Sequence, residues 1–259
     1  MSAQSFFTPL LQRDASGRAW LRQLLRAAPR GVERLGADLV DQPGSLSMSL
    51  SVRGVSGVLG AFEYPLAPSR GLVGWLLQHP QALTWVDDPD ASPQTRRLRR
   101  ALLFDDPPGS RVKAQARAQE LMLSRSVLSQ EWWRFEYLGT IDCLLMTDRV
   151  VLTVITDAAD PRAPATPWYP GRPRLIRAVE AARELAAQRT WACLLLSAEP
   201  IQLEDELLSE RALADAAPHL PPAERAELGD AYLGNLTWPD AAAAIGDGAP
   251  GATPARPDA

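Results

Sequence analysis

Few residues in this chain could perform polar chemistry, and those few narrow the choices. The 27 basic residues include one lysine, Lys113, so any reaction that needs a lysine has a single candidate. The two histidines, His79 and His219, each stand beside a proline and far apart, which argues against a His-based metal triad or a histidine-relayed nucleophile. No Gly-x-Ser-x-Gly occurs to mark a serine hydrolase. Cys143 and Cys193 each sit inside an apolar run, as expected for buried free thiols in a reducing cytoplasm, and two cysteines cannot build a cysteine-rich zinc site. The acids Asp142, Asp157 and Asp160 could share a divalent cation if the fold gathered them, although the loop acids beside Pro161 have the composition of a turn. Arg96, Arg97, Arg99, Arg100, Arg111, Lys113, Arg117 and Arg125 face three acids between 96 and 125. With Trp132, Trp133 and Trp168 as stacking partners, that stretch is the candidate nucleic-acid contact. Against it, the chain carries a net charge of -4, and twelve acids face three arginines from 199 onward. Those charges equally suit solvated faces of a protein-interaction module.

These groups must be held by a sizeable core, because 46% of the 259 residues are apolar. No apolar stretch approaches the length of a membrane span and the N-terminus lacks a signal-peptide pattern, so a cytoplasmic protein without a membrane partner is expected. Ala19, Trp20, Leu24 and Leu25 recur at helical spacing behind Asp14, a potential cap. Leu46, Met48, Leu50 and Val52 alternate with serines in the period of a half-exposed strand. Gly54, Gly57 and Gly60 follow without the spacing of a phosphate-binding loop, and 71–80 reads as a short helix closed by Pro80. A long helix is predicted from Ser110, its N-cap, to about 129.

The informative centre reads as strands over 132–138, 140–147 and 149–156, with Thr147-Asp148-Arg149 as the last hairpin turn. The loop PWYPGRP leads to a helix with one apolar stripe from Leu175 to Ala186, and TWACLLLS is a strand covered on both faces. After Pro200 the pattern is helical, over 203–217 and 221–234, with a short helix at 239–245. The helices around LGNLTW resemble a helix-turn-helix in outline, but their acidic balance suits packing rather than DNA contact. The Gly/Pro/Ala-rich tail from 247 to 259 is predicted to be disordered.

The order helix, three strands, helix, strand, with Gly139-Thr140-Ile141-Asp142 opening the second strand, resembles the core of the PD-(D/E)xK nuclease superfamily. The resemblance covers about 110 to 200 and extends to the WYPGR loop and the arginine-bearing helix after it, which look like the same segment in some bacterial members. It implies an α/β fold: a central mixed sheet flanked by helices, restriction-endonuclease-like, with N-terminal α+β and C-terminal helical additions. The implied division is 1–95 for the N-terminal segment, 96–200 for the core, 201–246 for the helical segment packed on it, and 247–259 for the tail.

In that superfamily the Asp, joined by an acidic-x-Lys triplet on the next strand, holds a divalent metal that activates water. Ten residues separate Asp142 from Thr153. Aligned on hydrophobic pattern, Thr153 falls on the acidic position and Ile155 on the lysine position, where those members read approximately Glu-Gly-Lys. A shift to Asp157 would need Ala159 to act as the lysine, and Lys113 lies about thirty residues upstream. Asp142, helped by Glu120 or Glu136, is left as a weak metal ligand. The resemblance therefore implies a pseudoenzyme without a resident cofactor, with Mg²⁺ or Mn²⁺ relevant only if activity survives. Three functions remain in contention: a non-catalytic nuclease-fold protein that binds nucleic acid or regulates a partner, a protein-interaction or structural module, and a metal-dependent hydrolase with relocated acids.

Overall fold

In a computed structural model, residues 1–46, 60–124, 132–136 and 139–246 are described. Four helices come first: α1 (Ala3–Arg13), α2 (Arg18–Ala27), α3 (Gly31–Leu35) and α4 (Ala37–Asp41). Strand β1 (Gly60–Leu66) is followed by α5 (Arg70–Gln78), α6 (Pro93–Phe104) and α7 (Ser110–Ser124). The hairpin β2 (Gly139–Met146) and β3 (Val150–Thr156) leads through α8 (Arg174–Ala186) to β4 (Thr190–Ser197). Then come α9 (Glu204–Leu207), α10 (Glu210–Ala216), α11 (Pro222–Asp230), β5 (Tyr232–Thr237) and α12 (Trp238–Gly246).

The fold is α/β. Among the described residues five strands lie in the spatial order β1-β2-β3-β4-β5; β2 runs antiparallel to both β1 and β3, and β3, β4 and β5 run parallel. Central β3, all apolar or threonine, is buried along its whole length, and its period-two geometry divides it between two layers. Val150, Leu152 and Val154 face a core built with α1, α2, α4 and α12. Val151 and Ile155 face a second core built with α8 and the helices of 203–231. A third cluster lies beside them, where α5, α6 and α7 enclose Trp133, Phe135 and Trp168.

Several expectations need correction. Residues 132–136, expected as a strand, form a turn and irregular chain. Their aromatics are buried in the third cluster, and β-propensity only registers a fit to a buried pleated surface. The place beside β2 belongs instead to Gly60–Leu66, with Phe62 opposite Cys143 and Tyr64 opposite Ile141. The helix expected over 221–234 ends at Asp230, and Tyr232–Thr237 form β5, so the segment 201–246 contributes a strand to the sheet. Gly234 there has φ of 100° and its Cα lies against the Pro29 ring, a conformation and a space that suit glycine. The expected helix over 203–217 breaks before Ser209, whose hydroxyl accepts from Ala212 N at 3.3 Å and opens α10. Gly17 occupies the N-cap of α2, while Asp14 closes α1. Ser110 is the first residue of α7, and the Arg111 N–H is accepted by Asp105 Oδ1 at 2.8 Å.

The remaining boundaries agree to within a few residues for α5, α8, α12, β4 and the β2–β3 hairpin, whose Thr147 hydroxyl also donates to Pro43 O at 2.6 Å. Of the serine-alternating strand, Leu46 bridges Thr147, while 47–52 lie outside the described residues, as do Gly54, Gly57, Arg125 and the tail from 247.

Candidate functional site

Asp142 lies where the ladder between β1 and β2 passes over one step, opposite Glu63, whose φ is 50°. The β2–β3 pairing ends at Cys143 opposite Val154, and beyond it the carboxylate takes a backbone role: Asp142 Oδ2 accepts the Thr156 N–H at 2.6 Å. Its other oxygen stands 3.7 Å from the Arg174 guanidinium, which also donates to Ala159 O at 2.8 Å. Cross-strand partners share a sheet face; Leu144 pairs with Thr153 on the α8 side, and continuing the register brings Asp142 opposite Ile155. The geometry therefore gathers 142, 153 and 155 at one end of the hairpin, under the first turn of α8.

The groups gathered there do not make a metal site. Thr153 is fully buried, and its hydroxyl donates to Ala178 O at 3.0 Å. Ile155 is 1% exposed and packs in the α8-side core. A cavity of about 230 Å³ opens beside it, lined by Thr140, Ile141, Ile155, Glu136, Arg174 and Arg177. Where a water-activating site would need converging carboxylates and a lysine, this cavity presents two guanidiniums and one acid. Among the described residues no group of three or more His, Cys, Asp or Glu side chains is placed to hold a metal ion. The residues gathered here do not fit a divalent cation of the kind that the catalytic triplet of that superfamily holds.

Glu136 is not available as a ligand either. Its Oε2 accepts the Ser69 N–H at 2.5 Å, and its Oε1 lies 3.2 Å from both Arg172 and Arg177. Arg172, completely buried, donates at 2.6 Å to Glu180 Oε2 and at 3.1 Å to Ala216 O. Glu180 Oε1 accepts from the Ser69 hydroxyl at 2.8 Å and lies 2.9 Å from His219 Nε2. Burial by itself would raise the Glu180 carboxyl, but Arg172, His219 and Ser69 outweigh it and hold the group well below the usual carboxylate range. Burial opposes the charge on Arg172 too, and Glu180 with Glu136 outweighs that and holds the guanidinium charged. Arg177 completes the cluster by pairing with Glu184 at 3.4 Å and donating to Ala67 O. This network fastens the start of α5, the loop before α8, α8 itself and the chain after α10 to one point.

The other predicted residues are dispersed. Glu120 is on α7, 66% exposed, and pairs with Arg117 at 2.7 Å. Asp157 Oδ2 accepts the Ala198 N–H at 2.7 Å, and Asp160 Oδ1 accepts the Arg162 N–H at 2.9 Å, so both are turn residues, as their composition indicated. The basic stretch is largely occupied within the molecule. Arg99 is buried, 4.7 Å over the Trp168 ring, bonded to Trp132 O and paired with Asp88. Arg111 donates to Leu102 O and Leu103 O, satisfying carbonyls at the end of α6. Arg100 pairs with Asp106 at 2.7 Å, Arg117 with Glu120, and Arg96 donates to Pro89 O. Arg97 and Lys113 remain facing solvent. Trp132, Trp133 and Trp168, expected as stacking partners, are buried in the third cluster and present no face to a base.

Sequence reasoning missed Arg172, Arg174, Arg177 and Glu180 as a constellation. The signal was the WYPGR loop running into an arginine-bearing helix, with Arg177 and Glu180 three residues apart on one face. Compared with family models, with curated proteins and with solved structures, the chain matches none.

Proposed function

We propose that this chain is a non-catalytic protein on a nuclease-like scaffold that works by binding or regulating a partner. The observation that carries the reading is the state of the three matched positions: Asp142 is committed to the Thr156 N–H, Thr153 to Ala178 O, and Ile155 to the apolar core. Hydrolysis of a phosphodiester needs charge at those positions to neutralise the transition state and generate the nucleophile. What supports the kinship is the run β2-β3-α8-β4 after α7 with Asp142 on β2; β1 pairs with β2 but is separated from it in the chain by α5, α6 and α7.

Between the two classes of partner, the consumption of the 96–117 arginines by internal carbonyls and carboxylates supports a protein. A nucleic-acid surface needs several guanidiniums and ammoniums free to displace counterions; here Arg97 and Lys113 face solvent without an ion pair among the described residues, whereas Arg96, Arg100 and Arg117, also exposed, are already bonded to Pro89 O, Asp106 and Glu120. The test incubates the purified chain with Mg²⁺ or Mn²⁺ and single- or double-stranded DNA, and follows anisotropy of labelled DNA at 50 and 200 mM salt. No cleavage and no salt-sensitive binding are expected. Cleavage abolished by Asp142→Ala would overturn the non-catalytic reading. Tight binding at low salt that weakens steeply with added salt would return nucleic acid as the partner.

A further inference from the structure

Helix α7 is apolar on two opposite sides. Ala114, Ala118 and Leu121 are buried against α5 and α6. At about 100° per residue, Val112, Ala116 and Leu123 project about 180° from that stripe. Val112 is 71% exposed, Leu123 is 81% exposed, and Ala116 also faces solvent. A surface helix ordinarily carries one apolar stripe, and an exposed second one marks a contact surface. Val112 and Leu123 stand three helical turns apart, with Ala116 and the half-buried Gln119 between them on the same side.

From this face we infer that α7 pairs antiparallel with α7 of a second copy of the chain. The occupant is indicated by the charges on one flank of the stripe. Lys113 and Glu120 both lie about 70–90° to the same side of it, whereas Arg117 points about 130° away. A two-fold axis that brings Val112 against Leu123 of the other copy superposes the same flank of both helices. Lys113 of each copy then stands within about 3 Å, measured along the axis, of Glu120 of the other, so the pattern is self-complementary and the charge pair forms twice. The Glu120 carboxylate also pairs with Arg117 of its own helix at 2.7 Å. A parallel two-fold would carry the charged flanks of the two helices to opposite sides of the interface, where Lys113 of one copy meets neither Glu120 nor Lys113 of the other.

This inference is independent of the proposal about catalysis, since a monomer could be non-catalytic and a dimer could cut DNA. Sedimentation velocity on the full chain across 1–100 μM tests it, with Lys113→Glu, Glu120→Lys, the double reversal and Leu123→Glu as variants. The three substituted positions are all exposed, and far-ultraviolet circular dichroism checks that each of the four variants is folded. The expected result is a concentration-dependent dimer in the parent. Each single reversal should weaken dimerisation at least about tenfold, the double reversal should restore it to within about threefold, and Leu123→Glu should abolish it. A monomer at every concentration overturns the inference. So does a dimer indifferent to Leu123→Glu, or one that the double reversal fails to restore, since either outcome assigns the face to a different partner.

Discussion

Replacing Arg172 by Met tests whether the buried network holds the region together. The guanidinium is completely buried and stands between Glu136 at 3.2 Å and Glu180 at 2.6 Å, both also buried. Met fills much of the same volume without the charge, so the change isolates electrostatics: two buried carboxylates lose their shared cation, and Ala216 O loses its donor. Removing one partner of a buried pair typically costs about 3–5 kcal/mol, and at about 2–4 °C per kcal/mol for a chain of this size the melting temperature should fall by roughly 6–20 °C. The pH dependence carries the sharper signature. In the parent, the Glu180 carboxyl is held below its unfolded value, so its contribution is present above the ordinary glutamate range and is lost as pH falls through the folded value. In Arg172→Met the Glu180 carboxyl loses the largest charge that opposes burial and rises above the unfolded value, so the penalty is full at neutral pH and is relieved on acidification. Urea unfolding at pH 7.5 and 5.0 should therefore show the gap between parent and variant narrowing at pH 5.0. A gap below about 1 kcal/mol at pH 7.5, or one unchanged at pH 5.0, would refute the view that the cluster is a charge-coupled clamp.

Thr153→Glu, which rebuilds the acidic position, should cost at least about 3 kcal/mol in denaturant unfolding without producing nuclease activity, because the carboxylate would be forced under α8 beside Ala178 O. Thr153→Val keeps the shape and removes one hydrogen bond, for a loss of about 1 kcal/mol by the same measurement. Arg99→Ala should lose about 2–3 kcal/mol, since Arg99 contacts Trp168, Trp132 O and Asp88, whereas exposed Arg97→Ala should stay within about 0.5 kcal/mol; equal effects would show that the basic stretch is a solvated surface after all. Burial pushes the Cys193 thiol up to about 12 and raises Cys143 as well, so neither should react with iodoacetamide at pH 8 in the folded protein, and mass spectrometry should find both alkylated after denaturation.

What the sequence by itself determined is the local grammar. The apolar run VVLTVIT and the turn after Met146 require the β2–β3 hairpin, the stripe from Leu175 to Ala186 requires α8, and TWACLLLS requires a strand covered on both faces. The resemblance singled out Asp142, Thr153 and Ile155, and the strand pattern put 153 and 155 on one face, because period-two geometry is readable without a structure. Tertiary structure alone decided which segments fill the two edges of the sheet. Gly60–Leu66 contains a proline and a charged residue, and Tyr232–Thr237 carries a glycine with positive φ, so neither scores as a strand until β2 and β4 offer them partners. The charge cluster was hidden for a related reason. Ser69, Glu136, Arg172, Glu180 and His219 are scattered over 150 residues, and each looks solvent-facing in its own segment. An arginine or glutamate is buried only when the fold supplies its counter-charge, and that pairing is a property of the packed layers rather than of any local run of residues.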